Sequence, residues 1–269
     1  MRLISSGPVV ETAAGRVQGT THDGVDAFIE IPYAAAPVGP LRFKPPVPAP
    51  AWTDVRACDR WHYRTPQRTD LGHLRAPKKY TAMLGEPYAA ATREDSLTVN
   101  VWAPAGPAAR PRPVLFFMHG GGYTFGQAGQ PAFDGEAFAR RHDAVFVSVT
   151  HRLNVFGFLY LDELAGADYA GSGNAGLLDL VAALEWVRDN IARFGGDPGN
   201  VTISGESGGA GKVSLLMAMD RARGLFHRAM CQSGFSTRLS DPAAASAYTG
   251  RIAEALSTTP EGQIGRAHV

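Results

Sequence analysis

Cysteine is scarce. Cys58 and Cys231 are the two in 269 residues, too few for a disulfide framework, so an apolar core must hold the chain. Both lie in or beside apolar sequence, which reads as buried, inert thiols and not as a catalytic cysteine. Charge of one sign is also missing: Lys and Arg number 26 against 25 Asp and Glu, a net +1. Nothing in that balance favours nucleic acid or an anionic membrane. No apolar run approaches the ~20 residues of a membrane span, and residues 1–8 carry no apolar h-region, so neither a span nor a signal peptide is expected. A cytoplasmic location is the expectation. The histidine and cysteine spacings fit no metal site.

Glycine and proline are abundant, at 31 and 19, but they stand between apolar segments and not in runs. With 45% hydrophobic and 19% charged residues, the chain has the makings of a loop-rich globular fold, one large domain or two small ones. Strands are predicted at residues 9–21, 27–31 and 97–102. Residues 32–61 read as irregular, and 60–93 as a polar surface excursion. Residues 104–113 form a proline-rich connection that cannot sit inside a sheet. Residues 114–118 are continuously apolar, as in a strand covered on both faces, and 144–149 read likewise. Helices are predicted at 131–141, 174–194, 207–219 and, weakly, 243–256. The clearest is 174–194, where Leu177, Val181, Leu184, Val187 and Ile191 recur at helical spacing before Gly195-Gly196. Further strands fall at 201–204 and 226–231. The alternation predicts an α/β fold whose central, mostly parallel sheet is opened by antiparallel N-terminal strands. There is no internal repeat.

The strand at 201–204 runs into Gly205-Glu206-Ser207-Gly208-Gly209. This is a G-x-S-x-G elbow, which holds a serine hydroxyl out from a tight strand-to-helix turn, with glycines where a Cβ would clash. Directly behind the strand at 114–118 stands His119-Gly120-Gly121-Gly122-Tyr123. An α/β-hydrolase places there a loop whose amides receive the oxyanion of a tetrahedral intermediate. The Gly208 N–H, at the start of the next helix, would add the helix dipole.

The chain resembles the type B carboxylesterases, the carboxylesterase/cholinesterase branch of the α/β-hydrolases. Matching blocks run from about residue 9 to 234. They include Ile31-Pro32-Tyr33-Ala34, Leu41-Arg42-Phe43, Glu94-Asp95-Ser96-Leu97, Arg152-Leu153-Asn154-Val155-Phe156-Gly157, Asn174-Ala175-Gly176-Leu177 and Gln232-Ser233-Gly234. The resemblance implies an α/β-hydrolase fold, a small carboxylic ester as substrate and no metal or organic cofactor. It implies Ser207 as nucleophile and Gly121, Gly122 and Gly208 as oxyanion donors. Glu206 is expected on the pocket wall or, equally, as a solvated or structural carboxylate; His119 and Tyr123 are expected on the pocket wall, and Ser233 in the core or, alternatively, near the triad acid. Where the family has a disulfide, this chain has Thr65 and Ser96. The loop between them is therefore expected to lack its staple, which suits a reducing compartment.

In this fold the acid and histidine follow the serine in the chain. After Ser207 come His227, His268, Asp220, Asp241, Glu254 and Glu261, none placed past a later core strand. His227 reads as structural or surface. The expectation is a single hydrolase domain over residues 1–263, truncated after the strand that follows the nucleophile helix, with the triad acid and histidine lying further on. Residues 264–269, Ile-Gly-Arg-Ala-His-Val, read as a non-native, adapter-like tail. The chain alone is then expected to be inactive. Two other readings are a cholinesterase-like module that binds without catalysis and, disfavoured by the missing strands, a short hydrolase using Asp241 and His268.

Overall fold

A computed structural model describes residues 5–67, 82–86, 88, 91–236 and 239–257. Residues 264–269, expected to be a non-native tail and including His268, and much of the excursion at 60–93 lie outside them. One nine-stranded sheet organises the described residues, in the order β1-β2-β3-β5-β7-β6-β8-β9, with β4 alongside β2. The strands are β1 (Ser5–Glu11), β2 (Arg16–His22), β3 (Val25–Pro32), β4 (Arg56–Ala57), β5 (Thr98–Pro104), β6 (Arg112–Met118), β7 (Val145–Val149), β8 (Gly196–Glu206) and β9 (Arg228–Gln232). From β1 to β5, and from β5 to β7, neighbours run antiparallel. From β7 through β6 and β8 to β9 they run parallel.

The apolar strands lie where burial on both faces demands them. β7 is buried at every position, and Val114, Phe116 and Met118 of β6 are sealed in the main core with Val201 and Ile203 of β8. The helix Ala175–Asn190 covers one face, presenting Leu180, Leu184 and Val187. Gly195, in the left-handed region at φ 79, ends the turn that follows it. Buried Arg152, just past β7, is clasped by Asp179 of that helix. Its Nε and Nη2 donate to the two carboxylate oxygens at 2.8 and 2.6 Å.

Several boundaries differ from the sequence reading: the single strand expected over 9–21 is two, β1 and β2, and β8 begins at Gly196 rather than at 201. β5 extends to Pro104 and β6 begins at Arg112, so Pro113 does lie in the sheet. It is tolerated because the β6–β8 register shifts between Arg112 and Val114, where no ladder N–H is required. The helix expected over 131–141 is split into a short turn, Pro131–Phe133, and a helix, Glu136–His142. Between them the Asp134 carboxylate accepts the Glu136 N–H at 2.9 Å, a local bond that competes with helix. A short helix, Asn154–Phe158, was not expected at all.

The base of the excursion is closed. Arg64 pairs with Thr92, and the Thr65 and Ser96 hydroxyls meet at 3.0 Å in a buried setting. No covalent link joins these two positions; the hydroxyl pair is the contact that holds the base of the loop.

Candidate active site

β8 delivers Ser207 to the start of the helix Gly208–Ala218. Ser207 has φ 53 and ψ −118, a sparsely populated positive-φ conformation costing a side-chain-bearing residue about 1–3 kcal/mol. Its surroundings hold it there. Its N–H donates to the Gln232 carbonyl at 2.8 Å, and its own carbonyl accepts from Gly211 N–H at 3.1 Å. The residue is exposed, so the strain presents the side chain to solvent.

The loop after β6 comes against this bend as bare backbone. A Cβ on Gly208 would lie 2.6 Å from the Gly122 nitrogen, and one on Gly209 would run into the Met118 carbonyl. Gly121, Gly122 and Tyr123 all have positive φ, at 93, 59 and 67. The loop's internal bonds use the Gly121 carbonyl, which accepts from Thr124 and Phe125 N–H at 3.1 and 3.3 Å, and the Tyr123 carbonyl, which accepts from Asn154 N–H at 2.7 Å. Among the described residues the N–H groups of Gly121 and Gly122 have no protein acceptor. Gly208 N–H is in the first helical turn, where no intrahelical acceptor exists. Of the loop's free amides, that of Gly122 is the one placed against the turn after Ser207, next to Gly208.

Glu206 is partly exposed, and its carboxylate lies against Gly120, where an added Cβ would sit 2.8 Å from Oε2. Tyr123 stacks edge-on against Phe158 at 5.3 Å. It lines a cavity of about 700 Å³ with Phe158, Tyr160, Leu177, Leu215 and Tyr248. His119, expected on the pocket wall, lies instead beneath the loop, 1% exposed. Its Nδ1 donates to the Gly120 carbonyl at 2.8 Å, and its ring lies 4.9 Å from that of His151. Burial, reinforced by nearby Lys212, pulls the His119 pKa down to about 3. His151 is held well below the usual histidine range, by burial first and then by Lys212 and His119.

Lys212 and His151 were not singled out in the sequence. Lys212 is fully buried in the helix Gly208–Ala218. Its Nζ donates to the His119 carbonyl at 3.2 Å and lies 5.2 Å from the centre of the Tyr123 ring. The signal was available: it is the one charged residue in Gly-Gly-Ala-Gly-Lys-Val-Ser-Leu-Leu-Met-Ala. Ser233 is exposed, at φ 55, and not in the core. His227 is exposed and pairs with Val201, accepting its N–H at 3.2 Å, a strand-register role. Asp241 caps the helix Pro242–Ala255 by accepting from Ala244 N–H at 2.8 Å.

Far along the chain from Ser207, His22, Asp23 and Glu136 come together. Arg140 sits among them, 3.3 Å from Glu136 and 3.5 Å from Asp23, so the cluster reads as a surface ion network. No helix among the described residues is long and apolar enough to cross a membrane.

Sheet order, serine-bearing bend and glycine loop define the class: this is an α/β-hydrolase fold. The model of the carboxylesterase family matches residues 6–263, and the chain belongs to that family. It is 40% identical over 260 residues to para-nitrobenzyl esterase of Bacillus subtilis (strain 168), covering 97% of this chain and 50% of that protein. Carboxylesterase 1F of Mus musculus is 40% identical over 238 residues, 86% of this chain and 41% of that one. Among solved structures, the Geobacillus stearothermophilus carboxylesterase EST55 superposes with a TM-score of 0.83 at 43% identity, covering 97% of this chain and 50% of that one. The chain spans about half the length of the relatives it matches.

Proposed function

We infer that the full-length protein hydrolyses small carboxylic esters through an acyl-enzyme. Ser207 Oγ attacks the ester carbonyl carbon, and the carbonyl oxygen takes up negative charge as the tetrahedral intermediate forms. Gly121, Gly122 and Gly208 N–H groups receive that oxygen. The alcohol leaves with a proton, and water then attacks the acyl-serine to release the acid and regenerate Ser207. The acid and histidine that move these protons come from the half of the family's length that this chain does not span. Glu206 and Tyr123 border the substrate, and His119 supports the loop from beneath.

The observation that carries this reading is the meeting of an exposed, strained Ser207 with the Gly122 amide across Gly208. Each such donor is worth roughly a hundred- to a thousandfold in rate. No specific observation favours the non-catalytic module. The substrate is a small molecule, and the net charge of +1 gives no support to nucleic acid as a partner. A cytoplasmic location is supported by two free thiols, Cys58 and Cys231, and by the hydroxyl pair at the position of the family's disulfide.

A fluorophosphonate probe tests the assignment on the full-length product of the source gene. Ser207 should be labelled, and Ser207→Ala should lose both labelling and turnover, the latter by roughly a millionfold. A folded protein that stays unlabelled would falsify it.

A further inference from the structure

Lys212 has no part in the ester chemistry above, yet it sits at the root of it. A methionine or leucine would fill the same space without the cost of desolvating an amine. Side chains on a helix lean toward its N-terminus, so Lys212, five residues after Ser207, reaches back under the glycine loop. It meets that loop at both ends. Nζ donates to the carbonyl of His119, which precedes Gly120, at 3.2 Å, and lies 5.2 Å from the ring centre of Tyr123, which follows Gly122.

We propose that Lys212 is a positioning residue for the oxyanion loop, a buried amine that ties both flanks of Gly120-Gly121-Gly122 to the helix carrying Ser207 and places a positive charge behind the site where the oxyanion forms. The inference rests on the esterase reading. Holding the His119 carbonyl toward the ammonium fixes the peptide plane that leads into the donor glycines. The charge itself acts differentially. Lys212 and the positive end of its own helix repel one another in the resting enzyme. An anion developing beside both relieves that repulsion, so the stabilisation is greater in the transition state than in the ground state.

The groups facing the amine are compatible with a cation. His119, from the end of β6, and His151, from the segment after β7, are both held neutral at ordinary pH. Tyr123, from the loop, presents its ring face. Burial lowers the Lys212 pKa to about 7, so the charge is present below that pH and lost above it. The triad histidine must be neutral to act as base, which produces an acid limb in the opposite direction.

The test uses the full-length product, with 4-nitrophenyl acetate turnover followed from about pH 5.5 to about pH 9. In the wild type kcat/KM should fall on the alkaline side, with a midpoint near the Lys212 pKa of about 7. In Lys212→Met that alkaline fall should vanish while the acid limb stays. At about pH 6 the variant's kcat should be lower by roughly ten- to a hundredfold, with KM changed by less than about twofold. A purely structural lysine would leave the profile's shape unchanged, and a variant that keeps the alkaline limb overturns the inference. If Lys212→Met does not fold, the wild-type profile decides alone: a flat alkaline side overturns it. Phosphonate labelling separates the two levels. An unlabelled Ser207 sinks the esterase reading and this inference with it, while a labelled Ser207 with an unaltered variant profile sinks only the role of Lys212.

Discussion

The Thr65 hydroxyl oxygen lies 3.0 Å from that of Ser96 and donates to the His151 carbonyl at 2.9 Å. Both side chains are buried, at 1% and 3% exposure. One hydroxyl pair therefore joins the base of the excursion to the segment after β7, where His151 packs beside His119.

Removing that donor should be felt. Thr65→Val keeps the shape and strands the His151 carbonyl, leaving the Ser96 hydroxyl only its long bond to the Glu94 carbonyl, so it should cost about 1–3 kcal/mol in urea unfolding. The pair Thr65→Cys/Ser96→Cys should oxidise readily, because the side-chain atoms already meet. A loss of titratable thiol and a stabilisation of roughly 2–4 kcal/mol under oxidising conditions are expected. A double variant that keeps four free thiols, the two new ones besides Cys58 and Cys231, would show that the backbone vectors at these positions diverge.

Two glycine substitutions should separate chemistry from local strain. Gly208→Ala places a Cβ 2.6 Å from the Gly122 nitrogen and must displace the donor loop. Turnover by the full-length protein should drop by roughly a hundred- to a thousandfold. Gly122→Ala meets nothing within 4 Å, and its φ of 59 should cost only about 1–2 kcal/mol of backbone strain. Equal activity losses in the two variants would contradict the geometry.

The Arg152–Asp179 pair, exposed by 2% and 0%, should show the asymmetry of buried ions. Asp179→Asn leaves a guanidinium uncompensated in the core and should destabilise by about 3–5 kcal/mol. Replacing both partners with apolar residues, as in Arg152→Met/Asp179→Leu, should recover part of that loss. Chemical unfolding of the single and double variants measures the difference.

The buried bases should make stability rise with pH. The His119 pKa is lowered from 6.5 to about 3 in the folded chain, so between those values the unfolded chain binds a proton the folded one does not. Stability is fully present above 6.5 and should fall by up to about 1.4 kcal/mol per pH unit as pH drops below it. His151 adds in the same direction. Lys212, lowered from 10.5 to about 7, acts likewise in its own window: its contribution is complete above 10.5 and is lost as pH falls to about 7. Urea midpoints across this range should show both slopes, and Lys212→Met should remove the upper one.

Much of this molecule is written in local pattern. The apolar strand at 114–118 followed by three glycines, the bend at Ser207 and the repeat from Leu177 to Ile191 each lie within one stretch of chain, where periodicity and turn chemistry act directly. What the sequence hid arises across the fold. Thr65 and Ser96 are 31 residues apart, and hydroxyls follow no period. His119 and His151 meet because parallel β6 and β7, paired Phe117 to Ser148, end side by side. Pro113 was placed outside the sheet because its tolerance depends on a register shift involving β8. Lys212 drew no reading of its own within the helix predicted at 207–219, since its burial is decided by the loop folded over it.

The contact between Gly208 and Gly122 is main chain against main chain. No side chain intervenes that could be exchanged or repacked there. Phe158, Tyr160 and Tyr248, which line the neighbouring cavity, are side chains and by contrast open to replacement. On the esterase reading, those walls can change while the charge-handling amides stay where they are, so the shape of this cavity and the geometry of the amides are governed by separate parts of the chain.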